Sequence, residues 1–216
     1  MTPHHHLDEA TVLRYASGDL DEAFSVVVAC HVAMCPACRR AVRLAEEVGG
    51  ALLEEAEEAA LAPQALERVL ARLDAPPPLP LARPEREEGD VPLPLRRYIG
   101  PRLDAVPWKT VAPGIRRHRI RTAGGTPSPL YMLHIGPGKA VPEHGHGGAE
   151  MTLILSGAYQ DALGRFGPGD IADLDEHIEH QPRVEGGAPC ICLVSTERPT
   201  RFKGFFSRLL QPLVGI

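Results

Sequence analysis

Residues 138–157 read GKAVPEHGHGGAEMTLILSG, and this segment is the most informative in the chain. It places His144 and His146 at positions i and i+2, with Glu150 four residues further on. On an extended segment, side chains two positions apart point to the same face. Two imidazoles and one carboxylate suit zinc, manganese or iron and leave a position for a fourth ligand. The alternative, from these residues alone, is a set of ordinary polar residues in a glycine-rich loop.

The surrounding residues, from about 95 onwards, form short apolar runs that are cut by turns. Examples are residues 130–135, 151–155 and 190–194, each bounded by glycine, proline or serine. Runs of this length, rich in β-branched and aliphatic residues, indicate a sandwich or barrel. A closing helix is expected over residues 204–213, where apolar residues recur at helical spacing.

Residues 138–157 resemble the first motif of the cupin family, G-x5-HxH-x3-E-x6-G, at every position. Cupins carry a second motif, in which a Pro-Gly turn precedes the last ligand histidine. Residues 166–170 (FGPGD) supply such a turn here, and His177 and His180 follow it. Residues 178–182 are similar to the family segment that carries the ligand, which favours His180 and leaves His177 as the alternative.

The cupin resemblance implies an all-β, jelly-roll barrel that binds one divalent metal ion, zinc in the first place, with manganese and iron as alternatives. The ligands it implies are His144, His146, Glu150 and His180. Many cupins are metal-dependent oxygenases or isomerases, whereas others only bind or sense a ligand. The fold alone does not decide between these uses.

The first third of the chain, residues 8–73, is predicted to be helical. Asp8 and Asp21 are suited to cap the first two helices, and Pro36 suits the first turn of a third helix that runs to residues 49–50. A fourth helix is expected after Pro63 and has an apolar stripe. We interpret that stripe as core, with an exposed partner-binding face as the alternative; it consists of Leu66, Val69, Leu70 and Leu73.

Residues 75–94 (APPPLPLARPEREEGDVPLP) are rich in proline and charge, as expected of a semi-rigid linker. We therefore predict an α+β multidomain protein. A helical domain over residues 1–74 precedes this linker, and a β domain over residues 95–216 follows it.

The helical part contains His31, Cys35 and Cys38 in the pattern H-x3-C-x2-C. His31 and Cys35 lie on one face of a helix, and two thiolates at a helix start can hold one zinc ion. The run of histidines at residues 4–6 offers a fourth ligand. A redox CxxC pair and buried unliganded cysteines are the alternatives, but no thioredoxin-like βαβ pattern surrounds the motif.

These features resemble the zinc-binding anti-sigma factors, whose signature is an N-terminal histidine followed by HxxxCxxC. The C-terminal cupin motifs narrow the resemblance to the ChrR type, and it covers nearly the whole chain. It implies that His6 is the remaining zinc ligand, with His5 as the runner-up, beside His31, Cys35 and Cys38.

The resemblance also implies a regulatory function. Proteins of this type bind an extracytoplasmic-function sigma factor in the cytoplasm and keep it from RNA polymerase. Their helical domain suffices for inhibition, and their cupin domain is needed for release under singlet oxygen or organic hydroperoxide stress.

Charge agrees with a protein partner rather than a nucleic acid. Residues 1–75 carry thirteen acidic and six basic side chains, a net charge of −7. Binding to nucleic acid depends on phosphate neutralisation, which an acidic domain does not provide. No apolar run approaches the roughly 20 residues that span a bilayer, and the N-terminus lacks the features of a signal peptide. We therefore expect a cytoplasmic protein.

Three functional hypotheses follow. The first is an anti-sigma factor with a zinc-bound helical domain and a stress-sensing cupin. The second is a metal-dependent cupin enzyme, similar to a dioxygenase, with a regulatory helical domain. The third is a small-ligand-binding cupin that controls transcription without redox chemistry. The zinc motif favours the first, because a stand-alone cupin enzyme does not need it.

Overall fold

The computed structural model of the chain describes residues 2–73, 88–123, 127–199 and 201–202. The predicted closing helix over residues 204–213 lies outside them, as does most of the predicted linker, residues 75–87. The last two residues of that linker, Leu93 and Pro94, begin a helix instead.

The helices confirm most of the boundaries that their capping residues predict. The carboxylate of Asp8 accepts a hydrogen bond from the Thr11 N–H, and that of Asp21 accepts one from the Phe24 N–H. The helices in the described residues are α1 (Glu9–Ala16), α2 (Glu22–Met34), α3 (Pro36–Glu54), α4 (Ala65–Leu73), α5 (Leu93–Ile99) and a 3-10 turn (Leu103–Ala105).

The predicted end of the third helix was wrong. Instead of stopping at Gly49 and Gly50, α3 continues to Glu54. Glycine costs about 1 kcal/mol relative to alanine inside a helix but does not by itself end one. The following residues, 51–54 (ALLE), are strong helix formers and carry the helix through.

The second half folds into antiparallel sheets. A six-stranded sheet has the order β1-β2-β3-β11-β5-β8, and two three-stranded sheets have the orders β10-β6-β7 and β12-β4-β9. The strands are β1 (Lys109–Ala112), β2 (Ile115–Ile120), β3 (Leu130–Ile135), β4 (His144–Gly145), β5 (Glu150–Ser156), β6 (Tyr159–Asp161), β7 (Gly164–Phe166), β8 (Ile171–Leu174), β9 (Glu179–His180), β10 (Arg183–Val184), β11 (Cys190–Thr196) and β12 (Arg201–Phe202).

The large sheet is apolar on both faces, which explains the near-continuous apolar runs in its strands. In β3, Tyr131 and Leu133 belong to a core that also contains residues of the small sheets. Their neighbours Leu130 and Met132 belong to a second core, which contains the helices. One face of the sheet therefore lines the barrel interior, and the other is covered by helices.

Helix α2 provides most of that cover. It packs against β11 and β5, and it is apolar around its whole circumference, as expected of a core helix. Ala23, Val27 and Val28 are fully buried. The helix that carries His31 is thus fixed to the sheet whose strand β5 begins at Glu150.

The apolar stripe of α4 is exposed, so our interpretation of it as core was wrong. All four of its residues are between 49 and 75 % exposed. On α3, Leu44, Val48 and Leu52 follow one another at intervals of four and are exposed to a similar degree. The two helices therefore present apolar faces that the described residues do not cover.

No single helix in the described ranges is long and apolar enough to cross a bilayer. Within these ranges, only α2 and α3 taken together have the length and apolar composition of a membrane span, and the pair is bent by 118°.

Candidate metal centres

The cupin ligand group forms where two short strands pair beside the start of a long one. His144 in β4 is directly opposite His180 in β9, and Glu150 is the first residue of β5. His146 lies between β4 and β5, two residues after His144. All four side chains are buried, and one ligand atom from each lies within 4.8 Å of the others. His177 is exposed and lies outside this group.

Two of these histidines direct their lone pairs at each other. His144 Nδ1 lies 2.8 Å from the carbonyl oxygen of Pro142, and His180 Nδ1 lies 2.8 Å from the carboxylate of Asp161. Both acceptors lack a proton, so both Nδ1 atoms are the donors, and in a neutral ring the lone pair is then on Nε2. These Nε2 atoms are only 3.1 Å apart. Two lone pairs at this distance need a proton or a metal ion between them, and with His146 and Glu150 in the same group the residues fit a metal ion.

The protonation states agree with metal binding. Burial lowers the pKa of His144 to about 4, so its ring is neutral near pH 7. Burial opposes the ionisation of Glu150, but the adjacent His146 and the other two imidazoles outweigh it and lower its pKa. His146 Nδ1 lies 3.2 Å from a Glu150 oxygen, and neither ring nitrogen of His146 has a hydrogen-bond partner among the described residues.

The helical ligand group forms where α2 ends and α3 begins. The backbone of Cys35 is extended and separates α2 from α3. Its Sγ accepts a hydrogen bond from the Cys38 N–H. His31 Nε2 lies 3.2 Å from Cys38 Sγ. His6 Nδ1 lies 3.3 Å from Cys35 Sγ and 3.7 Å from Cys38 Sγ. All four ligand atoms fall within 4.8 Å of one another, whereas His5 lies outside the group.

The chemistry of this group also fits a cation. Burial, with a smaller contribution from the adjacent Cys35, raises the pKa of Cys38 to about 11. A Cys38 thiolate forms here near neutral pH only if a positive charge compensates for the burial, as a zinc ion does. Burial lowers the pKa of His31 to about 4, so its imidazole is neutral and able to ligate. This group has the composition of a closed Cys2His2 zinc site.

The outer support of the helical group comes from the barrel. We call Gly167–Asp170, between β7 and β8, the β7–β8 turn. The carbonyl oxygen of Gly169 accepts a hydrogen bond from His31 Nδ1 at 2.9 Å, which directs His31 Nε2 at the cysteines. The turn itself is bonded to β5, because the Gly169 N–H donates to the Ile154 carbonyl at 2.8 Å.

Asp170 holds the segment that carries His6. We call residues 2–8 the N-terminal arm. One carboxylate oxygen of Asp170 accepts hydrogen bonds from the His4 and His5 N–H groups, at 2.6 and 2.9 Å. Burial opposes the ionisation of Asp170, but its main-chain N–H donors outweigh it and lower its pKa, so the carboxylate is charged. Gly169 has a φ of +90°, and a Cβ there would lie 3.0 Å from the Pro3 ring.

Sequence reasoning predicted which residues come together in each group but missed the residues that support them. It interpreted residues 166–170 only as a turn before the last ligand histidine, and it did not single out Asp161. The role of Asp170 depends on contacts with residues more than a hundred positions away in the sequence. The role of Asp161 depends on its contact with His180. The available signal was the aspartate that closes the FGPGD turn.

Comparisons with known proteins agree with this architecture. Residues 98–198 match the family of the ChrR cupin-like domain. The whole chain is 43% identical to the anti-sigma-E factor ChrR of Cereibacter sphaeroides, over 100% of both proteins. A chain in the crystal structure of Rhodobacter sphaeroides SigE in complex with the anti-sigma ChrR matches with a TM-score of 0.78 at 41% identity, covering 90% of this chain and 100% of that one.

The fold and its two residue groups define a two-part cupin protein, in which a helical segment with one candidate metal-binding group covers a barrel that has a second. The full-length identity then establishes the family. The chain belongs to the ChrR family of anti-sigma factors, and the resemblance found in the sequence is confirmed.

Proposed function

We propose that this protein binds an extracytoplasmic-function sigma factor in the cytoplasm and keeps it from RNA polymerase. The observation that carries the proposal is the 43% identity to an anti-sigma factor over the full length of both chains. The solved relative is in complex with a sigma factor, which supports a sigma factor as the partner here. The helical ligand group binds zinc in this proposal, and the cupin group binds one divalent metal ion, with zinc favoured over manganese and iron.

The exposed apolar faces of α3 and α4 are the surface that this partner fits. Contiguous exposed apolar side chains are uncommon on proteins that act alone, and they mark interaction sites. The helical segment also carries a net charge of −7 over residues 1–75, which favours a partner with basic patches.

A charge placed on that surface tests the proposal. We expect Leu52→Asp on α3 or Leu70→Asp on α4 to abolish co-purification of the sigma factor and leave folding unchanged, because both side chains are largely exposed. The matched control is Leu163→Asp, which changes an exposed leucine on the barrel between β6 and β7. Sigma binding that survives in all three variants would contradict the surface assignment.

The cupin part, in this proposal, releases the sigma factor when the cell meets singlet oxygen or an organic hydroperoxide. The cupin ligand group is separate from the exposed faces of α3 and α4. A change in that ligand group can therefore alter release of the sigma factor without removing the surface that binds it. A metal in the barrel can bind an oxygen species or lose its ligand geometry on oxidation.

A second candidate is a metal-dependent enzyme of the dioxygenase type with a regulatory helical domain. The observation that favours it is a cavity that reaches three of the four cupin ligands. Turnover assays of the iron-loaded and manganese-loaded protein distinguish it from a non-enzymatic regulator.

A further inference from the structure

The N-terminal arm brings His6 to a ligand group whose other members lie at the end of α2 and the start of α3. Those other members are buried, whereas His6 is exposed and lies in a segment without helix or strand. A residue outside regular structure keeps its conformational freedom unless other contacts restrict it. The contacts of the arm therefore decide whether this ligand is in place.

The main chain of the arm is bonded to the barrel on both sides of His6. On the N-terminal side, the carboxylate of Asp170 accepts two main-chain hydrogen bonds, at 2.6 and 2.9 Å. On the C-terminal side, the carboxylate of Asp173 in β8 accepts one from the Asp8 N–H, at 3.2 Å. One short stretch of the barrel thus anchors the arm before and after the ligand.

The β7–β8 turn also packs closely against the arm and α2. A Cβ on Gly169 would lie 3.0 Å from the ring of Pro3 and 3.6 Å from the side chain of Met34, the last residue of α2. The carbonyl oxygen of Gly169 accepts the hydrogen bond from His31. The turn therefore fixes the arm that carries His6 relative to the helix that carries His31.

We propose that Asp170 is a positioning residue for the helical metal site. The helices hold His31 and the two cysteines, and Asp170 holds the arm so that His6 is in place before the metal binds. A ligand that is held in advance avoids the entropy cost of ordering it on binding. The fourth ligand of the helical site thus depends on the barrel.

This inference rests on the helical zinc of the proposed function and deepens it. When the helices move away from the barrel, the arm loses its anchors, and only the ligands from α2, α3 and their junction stay fixed. Zinc then leaves the helical site more easily. Docking of the helices on the barrel and zinc binding consequently favour each other, as linkage requires.

Cobalt binding to the full-length protein tests this role. Cobalt bound by thiolates absorbs in the near-ultraviolet, and the cupin group contains no cysteine, so competition with a chelator reports on the helical group alone. We expect Asp170→Ala to weaken cobalt binding there about 10–100-fold. Asp170→Asn should weaken it less, because the amide oxygen still accepts hydrogen bonds from the arm. Asp175→Ala removes an exposed carboxylate before β9 and should change nothing.

A double substitution separates positioning from general damage. His6→Ala should weaken cobalt binding at least as much as Asp170→Ala, since it removes the ligand itself. In the His6→Ala background, Asp170→Ala should have little further effect, because the ligand that it positions is already missing. Full additivity would overturn the proposal, since Asp170 would then act through the fold. Unchanged cobalt affinity in Asp170→Ala would overturn it as well.

Hydrogen exchange in the zinc-loaded full-length protein gives a readout other than affinity. The two N–H groups of the arm that bond to Asp170 should exchange faster in Asp170→Ala. Exchange in α2 should stay the same, because this helix packs against β11 and β5. Equal acceleration in the arm and α2 would contradict a positioning role. So would an arm that keeps its protection, because another contact would then hold it.

Sigma co-purification at saturating zinc keeps this inference distinct from the proposed function. Asp170→Ala should still bind the sigma factor under that condition, because all of its metal ligands are present and the exposed faces of α3 and α4 are unchanged. Loss of sigma binding that saturating zinc does not restore would overturn the positioning role. Absence of sigma binding in the unmodified chain would refute the proposed function, whereas the cobalt and exchange results would still decide the role of Asp170.

Discussion

The two ligand groups differ in what holds them. The cupin group is built within one barrel: its four side chains are all buried, and strand pairing places His144 opposite His180. The helical group lies where the helices, the N-terminal arm and the barrel meet. Its ligand His6 is exposed and comes from the arm, which is bonded to Asp170 of the barrel. The first group depends on its own sheet, whereas the second depends on a contact between two parts of the chain.

This difference predicts how each group responds to damage. The cupin group should be lost only when its own ligands or their supports change. The helical group should respond to changes in the helices and in the barrel.

The largest effect is expected from replacing Cys35 with alanine. Structural zinc is worth roughly 10–16 kcal/mol in isolated zinc-finger peptides, and Cys35 also forms the junction of α2 and α3. We expect the metal content to fall from about two equivalents to about one, with loss of helical circular dichroism and of sigma binding. Elemental analysis and spectroscopy of the purified protein measure these changes.

Cys30→Ala is the matched control for that prediction. Cys30 is fully buried on α2 but lies outside the ligand group. The Cys30→Ala variant should keep both metals and lose only about 1 kcal/mol of stability, because the missing sulfur leaves a small cavity. A single metal equivalent that survives the loss of both Cys35 and Cys38 would refute the helical site.

The sequence predicted the members of both groups better than it predicted how the two halves pack. All eight predicted ligand residues come together in two groups of four, because fixed spacings on helices and strands place side chains on one face. Spacing does not reveal contacts between distant segments, so the roles of Gly169, Asp161 and Asp170 were not predicted.

Periodicity was also ambiguous about what covers each apolar face. The run of β3 is apolar at almost every position, which indicates a strand but not that helices cover one of its faces. Conversely, the stripe of α4 has the pattern of a core helix and is exposed. A hydrophobic pattern shows which face of a helix is apolar. It does not show whether that face packs within the chain or against another protein.

The next largest effect is expected in the cell, from loss of a cupin ligand. His144→Ala should remove the cupin metal, leave the helical metal and sigma inhibition intact, and blunt induction by singlet oxygen or hydroperoxide. Elemental analysis and a sigma-dependent reporter, with and without the stress, measure this. His177→Ala is the control, since this exposed histidine lies outside the ligand group. Normal induction in His144→Ala, His146→Ala and Glu150→Ala alike would show that the cupin metal has no role in sensing.

A fragment of residues 1–75 is expected to bind the sigma factor but to be less stable than it is in the full chain. The exposed faces of α3 and α4 remain intact in it. However, α2 loses the sheet that it packs against, and each large aliphatic side chain newly exposed costs about 1.5–3 kcal/mol. Pull-down and thermal unfolding of the fragment measure the two effects. A zinc-loaded, folded fragment that does not bind sigma would contradict the assignment of inhibition to the helices.

The smallest effect is expected from Asp161→Asn. The Asp161 carboxylate accepts a hydrogen bond from His180 Nδ1 at 2.8 Å, and both side chains are almost completely buried. Asparagine has nearly the same size and can still accept this bond through its amide oxygen, so the ring orientation should survive. What is lost is the negative charge, which makes the bond stronger and the bare Nε2 atom a better ligand.

We therefore expect the affinity for the cupin metal to fall by about tenfold in Asp161→Asn, at the low end of the range for such supports. The helical metal should be unaffected, because Asp161 lies outside that group. Competition with a chelator, followed for each metal separately, measures both affinities. Asp175→Asn removes an exposed carboxylate from the loop before β9 and should change neither affinity. If Asp161→Asn weakens the binding of both metals equally, the substitution has disturbed the fold beyond the cupin group. The cupin group is then no more self-contained than the helical one.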